Sequence, residues 1–550
     1  MAVDPHVAMS ERPRLPDVEE GKFGRMFPDV PPLEAEGEAL LALGRRGGPL
    51  EIGFEGEDPL EVSNPRIPAG WPFVGQFLAH DMTHDRDPLG PLKDLSRARN
   101  FRSPRLDLDS VYGAGPVGQP YLYDVDDPDL LLVGRDDRGE PFDLLRNFQG
   151  QAIVSDARND VHLFISQLHV GFLRFHNAVV GLVRDAGATG PEVMTEARRI
   201  VEWHYQWVVV NEFLRLSCGD AVVDDILANG TQLCRFGTRP FIPVEFSDGA
   251  YRFGHAQIQE RYDVNDQILG LPLFPDLVGI QAVAAQRRVD WPRLFAFDGF
   301  PAPQPSRRIR SDMVRSLLEL PTRLVGVVER TEHASLASRD LVRGRAVGLP
   351  SGEAVARALG LEPCTKDEFA LDPAVWSGET PLFLYVLKEA EVQTSGQHLG
   401  EVGGRIVAEV ILGLLTCDPL SYLNAGNGWT PELAGADGRF TIAHLLAVAG
   451  VAPAPHAAET GAAAPSPPAC AHTDQVREVQ PDADGCGECL AIGSRWVHLR
   501  LCLTCGNVGC CDQSPNRHAT AHHRATSHPI NRSFEPGEDW AWCYPDEMFL

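Results

Sequence analysis

No apolar run in this sequence reaches the length that a membrane-spanning helix needs, which excludes a helical span. Residues 1–25 are polar, contain proline and lack the apolar centre of a signal peptide, so a cytoplasmic chain is expected. Positive charge is in deficit: 49 lysines and arginines stand against 76 acidic residues, a net charge of −27, and no long basic run interrupts it. Such a chain repels nucleic acid and anionic membranes. Cysteine is sparse over the first 450 residues, where Cys218, Cys234, Cys364 and Cys417 show no paired spacing. They read as buried thiols and offer no disulfide framework. Strand patterns are scarce too, which leaves a mainly α reading for most of the chain.

What is present is unevenly spread. At 550 residues the chain is too long for one ordinary domain. Residues 1–64 are rich in proline and glycine with weak periodicity, an irregular arm. Helical patterns fill residues 65–452, an Ala/Pro-rich linker covers 453–469, and residues 470–550 hold eight of the twelve cysteines. Helices are expected around 74–85, from a cap at Asp156 or Asn159 to about 185, and over about 192–216 with Trp203, Trp207 and Phe213 in the core. Further helices are expected at about 309–329 and 353–360, and as a pair within 380–416.

The stretch 74–85 organises the rest. Gln76, His80 and His84 recur every four residues and share one helical face, while Asp81 sits about 100° round and addresses another space. Three readings compete. The helix can be a solvated face that carries two histidines. It can be a metalloprotease helix, since His80 to His84 spell H-D-x-x-H, one carbon short of H-E-x-x-H. It can also be the distal helix of a haem peroxidase. No third ligand follows His84 at a protease-like distance. Ser103, Asp107 and Asp109 put three oxygen donors within seven residues, which suits a hard cation or a plain Asp-rich turn. His162, His169 and His176 fall seven apart, about 10 Å along a helix, too far to share one ion. Gly254 beside His255 permits close approach of a flat ligand.

In order along the chain these segments resemble the animal-type (myeloperoxidase–cyclooxygenase) haem peroxidase superfamily, in a bacterial-like form. The resemblance covers about 65–450. It makes Gly75-Gln76-Phe77-Leu78-Ala79-His80-Asp81 the distal helix, with His80 as distal histidine and Gln76 as its neighbour. Asp81, Ser103, the Arg105 carbonyl, Asp107 and Asp109 become the calcium ligands. Arg158 becomes the distal arginine, and Arg252-Phe253-Gly254-His255 the proximal segment with His255 as iron ligand. Asp340 stands where the family usually has an asparagine beside that histidine. The ester and sulfonium positions are Ala79, Val161 and His162, which implies non-covalent haem b. Arg252 occupies the place of the cyclooxygenase radical tyrosine, with Tyr251 one residue off, which favours peroxidase over fatty-acid dioxygenase. The implied activity is reduction of hydrogen peroxide or an organic hydroperoxide with an unknown donor. A haem-dependent dioxygenase and a non-catalytic haem-binding scaffold or sensor are the alternatives.

In the tail, the hooks Cys486-x2-Cys489 and Cys502-x2-Cys505, followed by Cys510, His518, His522 and His528, are a strong zinc signature. Their order resembles a UBP-type zinc finger, a small α+β domain over 470–550. The resemblance pairs Cys486, Cys489, Cys510 and His518 around one Zn2+, and Cys502, Cys505, His522 and His528 around a second. A third set would use Cys470, His472 and Cys543, with Asp546 in place of the usual cysteine. Trp496, Trp542 and Tyr544 fit the aromatic walls that grip a peptide or protein C-terminus. Asp512 replaces the carboxylate-binding arginine, which argues against ubiquitin as the partner.

Overall fold

Apolar residues at helical spacing build the larger of two compact units, Met1–Glu459 and Thr460–Leu550. The computed structural model describes residues 22–51, 62–85, 98–453, 472–535 and 541–545, without positions 137, 235, 237–239, 327, 329, 374, 427, 436 and 512–513, and the backbone of 548–549. The linker lies almost wholly outside them. Among the described residues no helix is long and apolar enough to cross a membrane.

The arm is less irregular than expected. Its run Gly-Glu-Ala-Leu-Leu-Ala-Leu-Gly forms α1 (Gly37–Gly44), which buries Leu40, Leu41 and Leu43. Phe23–Gly24 pairs in parallel with Ile242–Pro243, and Arg25 donates to the Gly348 carbonyl at 2.8 Å. Then β1 (Ser63–Pro68) leads into α2 (Trp71–Met82). Pro72 suits the first turn of α2, and Thr83 turns extended and stops it. His84 therefore lies past the helix, so the shared face is limited to Gln76 and His80. A Cβ on Gly75 would come within 3.1 Å of the Phe213 ring, so glycine lets α2 pack closely there.

Asp156 caps a single turn, Ala157–Asp160, and α3 (Leu163–Asp185) starts afresh with the His162 ring as its cap. Next comes α4 (Pro191–Val208), which widens into a π-turn, Val209–Leu214. Phe213 is buried as expected, but Trp203 and Trp207 are only half-buried at the edge of α4. The helix expected at 309–329 is absent. Pro321 blocks continuation, and only the single turns Arg315–Leu318 and Thr322–Val325 form, after the short strand β2 (Pro305–Arg307) that pairs with β1. Three more helices follow, α5 (Leu336–Ala346), α6 (Leu382–Thr394) and α7 (Glu401–Cys417). Glu389 of α6 accepts from the Val402 and Gly403 amides and caps α7.

Glu212, half-buried in the π-turn, accepts from the Ile442 amide at 2.7 Å and caps α8 (Ile442–Val448). Burial pushes its carboxyl up from 4.5 to about 8. Between those values the folded state keeps a proton that the unfolded state has lost. Stability therefore falls as pH rises across that window, by about 1.4 kcal/mol per unit from this group. Glu212→Gln should remove that slope. In urea unfolding the variant should gain on the wild type at pH 8 relative to pH 5, and an equal difference at both would contradict the assignment.

The smaller unit is α+β. Its sheet is antiparallel throughout, in the order β4-β3-β5-β6-β7, with β3 (Leu499–Cys502), β4 (Val508–Cys510), β5 (Ile530–Ser533), β6 (Ala541–Cys543) and β7 (Met548–Phe549). Two helices, α9 (Gly487–Ala491) and α10 (His518–Thr526), carry ligand candidates beside it.

Candidate active site and metal centres

His80 points from α2 into a buried polar niche and is 7% exposed. Its Nδ1–H donates to Asn159 Oδ1 at 2.8 Å, and Asn159 Nδ2 in turn donates to His169 Nδ1 at 2.9 Å. With Nδ1 committed as donor, Nε2 is left as the basic lone pair. Burial first, and then the Arg158 charge, pull the ring down from 6.5 to about 3, so it is neutral across the ordinary pH range. Gln76 lies one turn back on the same face, half-buried.

Arg158 comes from the turn before α3. It donates to the His80 carbonyl at 3.1 Å and forks onto Asp156 at 3.0 and 2.7 Å. A second arginine, Arg102, grips Asp156 at 2.9 and 2.8 Å and reaches Asp109 at 3.1 Å. Burial alone would raise the Asp156 carboxyl. The two guanidiniums outweigh it and hold that carboxyl well below the usual range. Asn159 enters the sequence analysis only as a candidate cap, and Arg102 not at all. The one local signal for Asn159 is its place next to Arg158.

Asp81, on the other side of α2, is fully buried. It accepts from the Leu108 amide at 3.1 Å, the Ser110 hydroxyl at 3.2 Å and the Tyr205 hydroxyl at 3.3 Å. Carboxylate oxygens of Asp81, Asp107 and Asp109 all lie within 4.8 Å of one another. Burial and the mutual repulsion of these groups raise Asp81 far above its usual range and Asp109 to about 7. A bound cation would relieve both effects. Leu108 adopts a left-handed backbone (φ 54°) that brings the loop back over Asp81. The Ser103 amide donates to Asp109 at 3.0 Å, and the Arg105 guanidinium pairs with Asp418.

His255 lies in the short helical turn Ala250–Gln257. Its Nδ1–H donates to Asp340 Oδ2 at 2.6 Å, while Arg252 donates to the other oxygen at 2.7 Å and to Asp248 at 3.2 Å. Burial pushes the Asp340 carboxyl up, but the charges of His255 and Arg252 prevail and keep it below its usual value. Nε2 of His255 is thereby freed on a ring 30% exposed, and no atom lies within 4 Å of where a Gly254 Cβ would be. That combination fits a planar iron ligand above His255. Tyr251, one residue off the radical-tyrosine position, donates its hydroxyl to the Gly75 carbonyl at 3.0 Å and ties this turn to α2.

In the smaller unit the expected pairings come together. Cys486 and Cys489 Sγ lie 3.1 and 3.3 Å from His518 Nδ1, with Cys510 Sγ at 3.6 Å. Cys502 Sγ lies 3.5 Å from His528 Nδ1, and Cys505 Sγ 3.3 Å from His522 Nε2. Each group of four fits a closed tetrahedral zinc site. His472 Nδ1 and Cys543 Sγ are 3.7 Å apart. Cys470, Asp512 and Asp546 lie outside the described residues. Tyr544 stacks on His523 at 4.3 Å, and Trp496 and Trp542 are half-buried.

The animal haem peroxidase family model matches residues 66–370, more than half of the chain, and the chain belongs to that family. The model named Zn-finger in ubiquitin-hydrolases and other protein matches residues 486–550. Peroxidase mlt-7 of Caenorhabditis elegans is 32% identical over 114 residues, 20% of this chain and 15% of that protein, so the chain spans a small part of that curated relative. Peroxidase A from Dictyostelium discoideum shares the fold at 15% identity and a TM-score of 0.56, over 78% of this chain and 93% of that one. The fatty acid alpha-dioxygenase of Oryza sativa with palmitic acid does so at 13% identity and 0.50, over 76% and 77%.

Proposed function

We propose that the chain is a haem-dependent peroxidase that reduces hydrogen peroxide or an organic hydroperoxide while oxidising a donor. The observation that carries this reading is that His80 and His255 each have Nδ1 tied down, by Asn159 and Asp340, which leaves both Nε2 nitrogens free. Bound haem would supply the iron that holds peroxide and the electrons that cleave its O–O bond. His80 takes a proton from one peroxide oxygen and returns it to the other as water leaves. Arg158, permanently charged and within reach of the same space, stabilises the leaving oxygen. His255 would hold the iron through Nε2, and Asp340, bonded to its Nδ1, orients the ring and strengthens its basicity. Asp81, Asp107 and Asp109, with Ser103 and the Arg105 carbonyl, hold Ca2+ behind α2.

Replacing Asp340 by asparagine should raise the ferric/ferrous potential, because a neutral partner gives the ligand less imidazolate character. A potential that stays or falls in redox titration would count against this role. Ala79, Val161 and His162 offer no ester or sulfonium partner, so the haem is b-type and non-covalent. Acidified ketone should strip it, and haem that stays on the polypeptide would refute the point. The test of the whole reading is an absorption spectrum of haem-loaded protein before and after one equivalent of peroxide. A histidine-ligated ferric Soret band that bleaches and shifts within seconds supports it, and equal haem binding by His255→Ala ends it. A second reading, fatty-acid dioxygenation, keeps a phenol beside the His255 turn in the half-buried Tyr251, and oxygen uptake with a fatty acid separates it from peroxidation.

The finger would hold two structural zinc ions, and a third set would use His472 and Cys543 with Cys470 and Asp546. It offers Trp496, Trp542 and Tyr544 to a peptide or protein C-terminus, with ubiquitin disfavoured by Asp512.

A further inference from the structure

Three indoles and a phenol gather at the outer edge of α4. Trp203 and Trp207 lie one turn apart, and the ring of Trp429 stands 5.3 Å from the first and 6.1 Å from the second. Tyr422 is 5.8 Å from both Trp207 and Trp429. All three tryptophans are half-buried, so each keeps part of its ring in solvent. Indole and phenol are the side chains most easily oxidised by one electron. The Trp429 N–H donates to Glu432 Oε1 at 3.0 Å, and the Trp203 N–H to the Leu420 carbonyl at 2.8 Å.

A buried aromatic run leads from α2 to Tyr205 on α4, the helix that carries Trp203 and Trp207. Phe77, one turn before His80, stacks on Phe172 at 4.8 Å. Phe172 meets Tyr205 edge-on at 5.6 Å. Tyr205 precedes Trp207 by two residues on α4, and its neighbour His204 is 5.2 Å from Trp429. Packing accounts for the buried phenylalanines, but leaving three large rings half in water forgoes burial energy.

We propose that Trp203, Trp207, Trp429 and Tyr422 form a surface oxidation site where phenolic donors too large to reach the haem give up electrons one at a time. The proposal rests on the peroxidase reading, which supplies the oxidant. One peroxide takes two electrons and two protons to become two waters, so two phenols are consumed and two phenoxyl radicals released. In each half, Trp429 loses one electron to the peroxide-oxidised centre by a hop across α4, and its N–H proton passes to Glu432. A phenol at the surface then returns one electron to the indolyl radical. The indole nitrogen recovers its proton, and the phenol's own proton replaces it in the balance.

The experiment uses the haem-loaded full chain with two probes: free guaiacol, and a phenol coupled to dextran. Trp429→Phe and the double variant Trp203→Phe/Trp429→Phe keep an aromatic ring at each position while removing the oxidisable indole and its N–H bond. Both variants should oxidise guaiacol as the wild type does, while the double variant loses more than about tenfold on dextran-phenol. As a readout besides turnover, peroxide without donor should place oxygen on Trp203 and Trp429 by peptide mapping, in haem-loaded protein and not in haem-free protein. An equal rate on dextran-phenol, a parallel loss on both probes, or unmodified indoles would overturn the proposal. Wild type that oxidises neither probe would sink the peroxidase reading, and the proposal with it.

Discussion

Replacing His80 by alanine should slow the reaction with peroxide by about 10²–10⁴-fold, the usual worth of a positioned acid–base group. The haem spectrum before peroxide should stay unchanged, because the proposed ligand is His255, which lies on a different element. The size of the effect follows from how the ring is held. Asn159 fixes its tautomer, so Nε2 is ready to accept a proton without rearrangement. Burial and Arg158 keep it unprotonated down to about pH 3. A free histidine would lose its base form as pH falls through about 6.5. The lowered value moves that loss to the acid side, so the wild-type rate constant should stay level between pH 7 and pH 5. Stopped-flow mixing with peroxide checks both statements. A variant as fast as the wild type removes His80 from the chemistry, and a wild-type rate that halves near pH 6.5 removes the buried, neutral ring.

Chelating zinc should unfold the smaller unit and leave the larger one folded. The apolar core around β3 and β4 amounts to Leu499, Leu501 and Val508 with ligand cysteines, too little to hold a sheet and two helices by itself. The metal–ligand bonds must do it, and structural zinc contributes about 10–16 kcal/mol in finger peptides. Of the three thiols and one histidine in the first group, Cys486, Cys489 and Cys510 are fully buried, so removing the ion would leave them together in the core without a counter-charge. After chelation, protease should digest residues 472–545 and spare a fragment covering the larger unit. Cys486→Ser should lower bound zinc by one ion per chain. A finger that resists protease without zinc would contradict the assignment.

Sequence alone determined the parts of this protein that depend on residue type and local spacing. The Cys-x2-Cys hooks and later histidines mark zinc sites because thiolate and imidazole at those spacings have few other uses, while the resemblance to a UBP-type finger sorted them into two groups. Gln76 and His80 share a face because a four-residue step on a helix leaves no choice. Apolar periodicity was enough for α3, α6 and α7. Other features waited for the tertiary structure, because they depend on partners far along the chain. His80 meets Asn159 across 79 residues, and His255 meets Asp340 across 85. Arg102 joins the cation loop to the distal arginine through Asp156, a link that no local pattern announces. The loss of a helix near Pro321 is a local effect of proline, whereas the end of α2 at Met82 and the partial exposure of Trp203 and Trp207 were decided by packing, which overrides propensity. The chemistry of each site is written in residue types, while tautomers, charges and access come from which residues the fold places against them.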